Sequence, residues 1–196
     1  LSFGEAVQHY FRGTVEADDT YIGGAEKNKH VNKRTVGTQG RNLQTKSVVF
    51  GLLLRGNGVS HSKVNAMVVG NCSGKELKGR ILQHVQPGSA VYTDQWVGYK
   101  GLTAEYIHEF VDHTLEYVRD NVSTNGLENF FSLLKRMIRG TYVQGSPWHL
   151  QRYAGEQTFR FIERKNDDAR RFALTVGGTY GKRLTYKQLT DPSWAH

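Results

Sequence analysis

Residues 13–22 read Gly-Thr-Val-Glu-Ala-Asp-Asp-Thr-Tyr-Ile and are followed by Gly23-Gly24. Thr, Val, Tyr and Ile are enriched in β-strands, and glycines at the end of such a run favour a turn. The stretch is therefore a predicted strand that carries two adjacent carboxylates, Asp18 and Asp19. Charged groups seldom lie within a strand unless something compensates them, so the same stretch is a candidate functional site.

Working outward, the remaining apolar patterns predict an α/β protein. Further strands are predicted over 46–55, 59–69, 90–93 and 106–111, the first two joined as a hairpin through Gly56-Asn57-Gly58. Apolar residues at helical spacing predict helices from an N-cap at Ser73 to Pro87, from Thr124 to Gly140, and over 149–165. Three strands, a helix, two strands with room for a helix between them, and two final helices indicate a mixed sheet flanked by helices.

Composition limits the classes of protein that this chain can represent. Its 196 residues suit one medium-sized domain, and its one cysteine, Cys72, rules out an internal disulfide framework or a zinc cluster built from cysteines. The longest apolar run covers only residues 48–54, whereas a membrane-spanning helix needs about 20 residues. No secretory signal opens the sequence, and a reducing compartment suits the cysteine content. These features exclude a membrane partner.

Basic charge is concentrated in three parts of the chain. The chain has 26 Lys and Arg against 18 Asp and Glu, a formal net charge of +8. Residues 25–46 contain six basic residues and one acidic residue without apolar periodicity, which is typical of a basic loop. Other concentrations lie at 135–139 and along 152–183. A polyanion is the simplest partner for such clusters, and a solvated charged face is the alternative.

Three acidic residues stand out by their positions in the predicted elements. Asp18 lies within the first strand, Asp94 follows the strand predicted over 90–93, and Glu128 lies in the first turns of the helix that begins after Thr124. If the two strands are neighbours and the helix packs beside them, the three carboxylates meet as hard oxygen ligands for Mg²⁺ or Mn²⁺. Ordinary surface carboxylates remain the alternative when spacing alone is considered.

Three stretches of the sequence resemble the catalytic domain of the ISXO-like insertion-sequence transposases. They are residues 15–24 (Val-Glu-Ala-Asp-Asp-Thr-Tyr-Ile-Gly-Gly), residues 91–99 (Val-Tyr-Thr-Asp-Gln-Trp-Val-Gly-Tyr) and residues 124–136 (Thr-Asn-Gly-Leu-Glu-Asn-Phe-Phe-Ser-Leu-Leu-Lys-Arg). The similarity runs in order from about residue 13 to residue 190. It departs from the family pattern at Asp19, where Glu is usual, at Ser123, where His is common, and at Phe131, where Trp is common.

The resemblance implies a ribonuclease H-like fold with a catalytic domain over 13–165, preceded by a remnant of an upstream region (1–12) and followed by a C-terminal extension (166–196). It implies that Asp18, Asp94 and Glu128 are the catalytic metal ligands of a DDE-type transposase. Asn125, one helical turn before Glu128, is kept as a second-choice ligand. Asp19 is the competitor of Asp18, and because strand alternation places them on opposite faces, only one of them points into the site.

The resemblance also implies a cofactor and partners. The cofactor is Mg²⁺, with Mn²⁺ as a substitute, in a two-ion site that hydrolyses and then transfers phosphodiester bonds. The partner is DNA, both the transposon ends and the target, with a homo-oligomer in the synaptic complex. The location is the cytoplasm at the bacterial nucleoid, or the nucleus in a eukaryotic source. The predicted DNA-binding residues are Lys135, Arg136, Arg139, Lys27, Lys29, Lys33 and Arg34.

Two other functions remain open from the sequence. A transposase remnant without catalytic activity would still bind DNA through its basic segments. A related nuclease would cleave DNA without joining it. Strand transfer from a pre-cut 3′-hydroxyl end separates both of these from a transposase.

Overall fold

The computed structural model describes residues 11–23, 30–33, 46–94, 105–111, 123–142 and 146–190. The strands are β1 (Thr14–Ile22), β2 (Ser47–Leu54), β3 (Lys63–Val69), β4 (Ala90–Asp94) and β5 (Ile107–Val111). The α-helices are α1 (Gly74–His84), α2 (Asn125–Met137), α3 (Leu150–Ile162), α4 (Asp168–Gly177) and α5 (Tyr186–Thr190). Short 3₁₀ turns cover Val31–Lys33 and Pro147–His149, and a π-helical turn covers Ile138–Tyr142.

The five strands form one mixed sheet in the order β3-β2-β1-β4-β5. The pair β2–β3 is antiparallel, as the hairpin prediction requires, and so is β1–β2, whereas β1–β4 and β4–β5 are parallel. A parallel neighbour requires a crossover connection, and α1, which lies between β3 and β4 in the chain, is placed to supply it. This arrangement confirms the predicted mixed α/β fold and places β1 at the centre of the sheet.

Side chains alternate between two cores on opposite faces of β1. Val15 and Ala17 are fully buried in a cluster with Leu77 and Ile81 of α1. The other face packs against α2 and α3, whose buried residues include Leu127, Phe130, Leu134, Leu150 and Phe161. Glu16 and Asp18 alternate with Val15 and Ala17, so they face α2.

Gly51 of β2 allows α2 to approach the sheet closely. It pairs with Asp18 across the antiparallel ladder. A Cβ at this position would lie 2.8 Å from Cδ2 of Leu127 and 2.9 Å from Cζ of Phe131. The absence of a side chain at Gly51 therefore sets how closely α2 approaches β2, the strand paired with the one that carries Asp18.

The structure confirms the predicted start of α1 but not the predicted end of α2. The Oγ of Ser73 accepts a hydrogen bond of 3.3 Å from the backbone N–H of Glu76, so the predicted N-cap of α1 is confirmed. The prediction that Gly140 ends α2 was wrong, because the chain leaves the α-helix after Met137 and continues through Gly140 in the π-helical turn. One exposed glycine costs a helix only about 1 kcal/mol, which is too little to stop it.

The last segment contains two helices that the sequence reading did not predict. Asp167 caps α4 by accepting a hydrogen bond of 2.7 Å from the backbone N–H of Arg170. Neither α4 nor α5 contains a buried residue. The division of the chain into a catalytic domain and a C-terminal extension stays a prediction. Within the residues described above, no helix has the length and apolar character needed to cross a bilayer.

Candidate active site

Asp18 and Asp94 lie on neighbouring parallel strands. The register of β1 and β4 pairs Thr14 with Ala90 and Glu16 with Tyr92. This pairing ends two residues before Asp18 and Asp94, and the negative charge of Asp94 still raises the pKa of Asp18. Adjacent strands are about 4.8 Å apart, so the topology brings these two carboxylates together although they are far apart in the sequence.

Glu128 lies in the first turn of α2, facing a cleft of about 770 Å³ that Asp18 also lines. Its Oε1 accepts a hydrogen bond of 3.4 Å from the hydroxyl of Thr124, a residue that is 1% exposed. Thr124 makes no side-chain hydrogen bond to the backbone of the helix it precedes. It therefore helps to orient the Glu128 carboxylate instead of capping α2.

The surroundings of Asp18 resist its ionisation. Burial raises the pKa of Asp18 from 3.8 to about 7, and the negative charges of Asp94, Asp19 and Glu128 act in the same direction. The backbone N–H of Asp19 donates a hydrogen bond of 2.8 Å to Oδ1 of Asp18 and lowers the pKa in part. A carboxyl held in this way gains most from a nearby cation, because the cation favours its charged form.

The carboxylates of Asp18, Asp94 and Glu128 are neighbours, but they are not arranged as a metal-binding site. Across the described ranges, no group of three or more His, Cys, Asp or Glu side chains is arranged closely enough to hold a metal ion. Like charges repel one another when no cation lies between them. The chemistry of the donors fits a hard divalent cation such as Mg²⁺, which binds carboxylate oxygens.

Asp19 reaches toward the opposite face of the sheet from Asp18. Its Oδ2 lies 3.7 Å from the Sγ of Cys72, which in turn lies 3.0 Å from the hydroxyl of Tyr21. Cys72 and Tyr21 pack against the core on the α1 side. The opposite orientation of the two aspartates is therefore as predicted, although Asp19 also borders the cleft.

Asn125 is not brought together with Asp18. It is the exposed first residue of α2, and it lines a separate cleft of about 610 Å³ together with Arg55, Ser123 and Gly126. As a second-choice ligand it has no support from this placement.

Basic residues line the same 770 Å³ cleft as Asp18 and Glu128. Lys135 and Arg136 of α2 and Arg139 of the π-helical turn all line it. Lys135 is half-buried, and its pKa is lowered first by burial and then by Arg139, while Asp18 acts in the opposite direction. The cleft therefore combines carboxylates suited to a cation with cations suited to a phosphate.

Most of the predicted basic loop cannot be placed. Lys27, Lys29 and Arg34 lie outside the described residues. Lys33 ends the short 3₁₀ turn Val31–Lys33.

The sequence reading missed Glu16, which holds α2 against β1. Glu16 is 2% exposed, and its Oε2 accepts a hydrogen bond of 3.0 Å from the backbone N–H of Leu127 in the first turn of α2. A Cβ at Gly126 would lie only 2.8 Å from this carboxylate oxygen. Glu16 thus takes over the capping role at the helix N-terminus, where a negative charge is favourable. Its position two residues before Asp18, on the same strand face, was the available signal.

Arg55 completes this clamp from the end of β2. Its Nε donates to Oε1 of Glu16 at 2.7 Å, and its Nη2 donates to the carbonyl oxygen and the hydroxyl of Ser123, each at 2.7 Å. The guanidinium also lies 5.0 Å from the centroid of the Tyr92 ring on β4. The clamp of Glu16, Arg55 and Ser123 therefore connects β1, β2 and the start of the helix that carries Glu128.

The sheet order, with α1 against one face and α2 and α3 against the other, is that of a ribonuclease H-like α/β domain. The sequence model of the ISXO2-like transposase domain matches residues 11–161, so the chain belongs to the ISXO2-like transposase family. An uncharacterized transposase-like protein of Haemophilus influenzae is 32% identical over 101 residues, which are 50% of this chain and 80% of that protein.

Membership of this family gives the function in outline. The process is DNA transposition, the partner is DNA, and the type of activity is phosphodiester transfer on a polynucleotide, for which DDE transposases need a divalent metal.

Proposed function

We propose that this domain cuts and joins DNA at the ends of an insertion sequence, with Asp18, Asp94 and Glu128 as its metal-binding carboxylates. Hydrolysis of a phosphodiester bond exposes a 3′-hydroxyl at the element end, and this hydroxyl then attacks a phosphodiester bond of the target. The observation that carries the proposal is the buried carboxyl of Asp18, whose pKa rises to about 7 because of burial and because Asp94, Asp19 and Glu128 lie nearby.

The donor set suits two Mg²⁺ ions, for which Mn²⁺ can substitute. When bound, such ions activate the attacking oxygen and stabilise the leaving oxygen, so no protein nucleophile is needed. Asp18 and Asp94 would hold them from adjacent strands, and Glu128 from α2. Because the three carboxylates are not gathered as a finished cage, their side chains must approach one another when metal binds.

The other residues of the cleft position the helix and the DNA. The clamp of Glu16, Arg55 and Ser123 fixes the first turn of α2 and hence the position of Glu128. Lys135, Arg136 and Arg139 would hold phosphate groups of the transposon end beside the carboxylates. Lys27, Lys29, Lys33 and Arg34 would add contacts to the DNA backbone that do not depend on its sequence.

We place this activity on the chromosome, in the cytoplasm of a bacterium or in the nucleus of a eukaryotic source. Joining two element ends to one target requires more than one copy of the active site, so the working form is a homo-oligomer in the synaptic complex.

The proposal is tested by strand transfer from an oligonucleotide that already carries the free 3′-hydroxyl end, in Mg²⁺ or Mn²⁺. The variants Asp18→Asn, Asp94→Asn and Glu128→Gln should reduce joining to background while they retain DNA binding. Glu76→Gln, on the surface of α1, is the matched control and should join DNA as the unchanged protein does.

Wild-type joining by Asp18→Asn or Asp94→Asn would show that the assignment is wrong. DNA binding by the unchanged protein without cleavage or joining would identify an inactive DNA-binding remnant. Cleavage without joining would identify a nuclease.

A further inference from the structure

We propose that a second cleft, formed between α3 and α4, binds an unpaired stretch of the DNA strand. This arginine–aromatic cleft has a volume of about 650 Å³ and is lined by Arg152, Arg160, Arg171, Tyr142, Tyr153 and Phe172. Proteins that bind single strands combine a positively charged groove for the backbone with aromatic rings on which bases stack. The cleft supplies both kinds of side chain.

This cleft contains an exposed aromatic ring on which a base can stack. Phe172 is 71% exposed on α4, which is unusual for a large apolar side chain. The rings of Tyr142 and Tyr153 pack on each other, with 4.4 Å between their centroids and 36° between their planes, so they hold each other in place beside Phe172. In a duplex the base faces already stack on one another, so these rings favour an unpaired strand.

The arginines of the cleft present donors that an anion would satisfy. Nη1 of Arg152 is buried without a hydrogen-bond partner in the described part of the chain. Arg160 donates through Nε and Nη2 to Glu156, at 3.0 and 2.8 Å, and its side chain is 61% exposed. Arg171 donates through Nη2 to Asp168 and through Nη1 to the backbone carbonyl of Asn166. A guanidinium has five N–H donors in a fixed fork, so each arginine is oriented and still has donors for a phosphate oxygen.

The two clefts are lined in part by residues of the same π-helical turn. Gly140 lines the cleft of the candidate active site, and Tyr142, two residues later in the π-helical turn, lines the arginine–aromatic cleft. The Cα atoms of two residues separated in this way are at most about 7.6 Å apart, about the rise of two stacked nucleotides. The second cleft is therefore within reach of a strand bound at the candidate active site. The origin of this strand, but not the binding itself, rests on the proposed function.

A second copy of this chain is the other conceivable occupant, because α4 also exposes Leu174 and Val176. Charge argues against it. Four arginines line the cleft against Glu156 and Asp168, and the whole chain carries a formal net charge of +8. Two such surfaces repel each other, whereas a polyanion is attracted.

The test measures binding of a short fluorescein-labelled oligothymidylate to the full chain by fluorescence anisotropy, in EDTA so that no metal-dependent step contributes. Phe172→Ala should weaken binding about tenfold, since one stacked base is lost. Arg160→Gln should reduce the slope of log affinity against log salt by about 0.7, the value for one phosphate contact of a single strand. The matched controls are Tyr180→Ala and Arg170→Gln, exposed residues of the same segment that do not line the cleft.

Oligothymidylate binding by Phe172→Ala and Arg160→Gln that equals that of the controls would overturn the proposal. If Phe172→Ala instead converts a dimer into a monomer in sedimentation and leaves oligothymidylate binding unchanged, the occupant is a second copy, and the proposal is wrong. The binding assay needs no catalysis. If the unchanged protein binds oligothymidylate as expected but does not perform strand transfer, that result would count against the proposed function alone.

Discussion

Replacement of Glu16 by alanine should destabilise the domain by about 3 kcal/mol. The change removes the acceptor of a buried backbone N–H at the start of α2, which costs about 1 kcal/mol for a lost helix cap. It also removes the charged partner of Arg55, worth about 2 kcal/mol for a charge-assisted hydrogen bond. Loss of one partner from a fully buried ion pair costs about 3–5 kcal/mol. The expected total of about 3 kcal/mol lies at the lower end of this range because the ion pair is not fully buried. The side chain of Arg55 is 25% exposed, whereas that of Glu16 is 3% exposed.

The measurement is urea denaturation followed by circular dichroism, with the free energy of unfolding compared at equal slope. Glu16→Gln keeps the shape and one acceptor but loses the charge, so it should cost about half as much. Glu76→Ala is the matched control, because Glu76 pairs with Arg80 on the surface of α1 with side chains 33% and 37% exposed. Such a pair is worth less than about 0.5 kcal/mol. A loss for Glu16→Ala no larger than for Glu76→Ala would refute the clamp.

Three further outcomes are expected. In EDTA, ionisation of Asp18 costs stability as pH rises from its ordinary pKa of 3.8 to about 7. Asp18→Asn should therefore raise the free energy of unfolding by up to about 4 kcal/mol above about pH 8 and by nothing below about pH 3. An equal gain at both ends of a pH series of melts would contradict this. Gly51→Ala, whose Cβ would lie 2.8 Å from Leu127, should lower the free energy of unfolding by about 1–3 kcal/mol in chemical denaturation. The control Gly79→Ala, with open space around the new Cβ in α1, should raise it by up to about 1 kcal/mol. Equal effects would show that α2 does not approach Gly51. Lys135→Gln should lower the salt slope of duplex binding by about 1 in filter-binding titrations, and an unchanged slope would remove Lys135 from the DNA contacts.

The elements that the sequence predicted well are those whose signals are local. Thr, Val and Ile around Asp18 predict β1, and the spacing from Leu127 to Leu134 predicts α2, since each pattern is complete within its own element. The three motifs of the family resemblance then indicated the fold, which the structure confirms, and the three acidic residues, whose role stays a prediction. The neighbouring positions of Asp18 and Asp94 follow from the parallel pairing of β1 with β4, which the sequence analysis stated only as a condition.

The features that the sequence did not predict depend on contacts between distant residues. Glu16 caps α2 at Leu127 across 111 residues of chain, and nothing near Glu16 indicates which helix it meets. Gly51 likewise shows its purpose only when α2 lies against it. The helix α4 lacks buried residues, so its apolar positions could not be assigned to a core.

Titration of the metal-free protein with Mn²⁺ in a calorimeter, near pH 7 and in buffers of different ionisation enthalpy, tests the central claim most directly. We expect saturable binding of two ions per chain with release of protons, because a carboxyl with a pKa of about 7 must ionise to bind a cation. The heat and the proton release should be lost in Asp18→Asn and retained in Glu76→Gln. Equal binding by Asp18→Asn and the unchanged protein, or no saturable binding by the unchanged protein, would contradict a metal-dependent active site at Asp18.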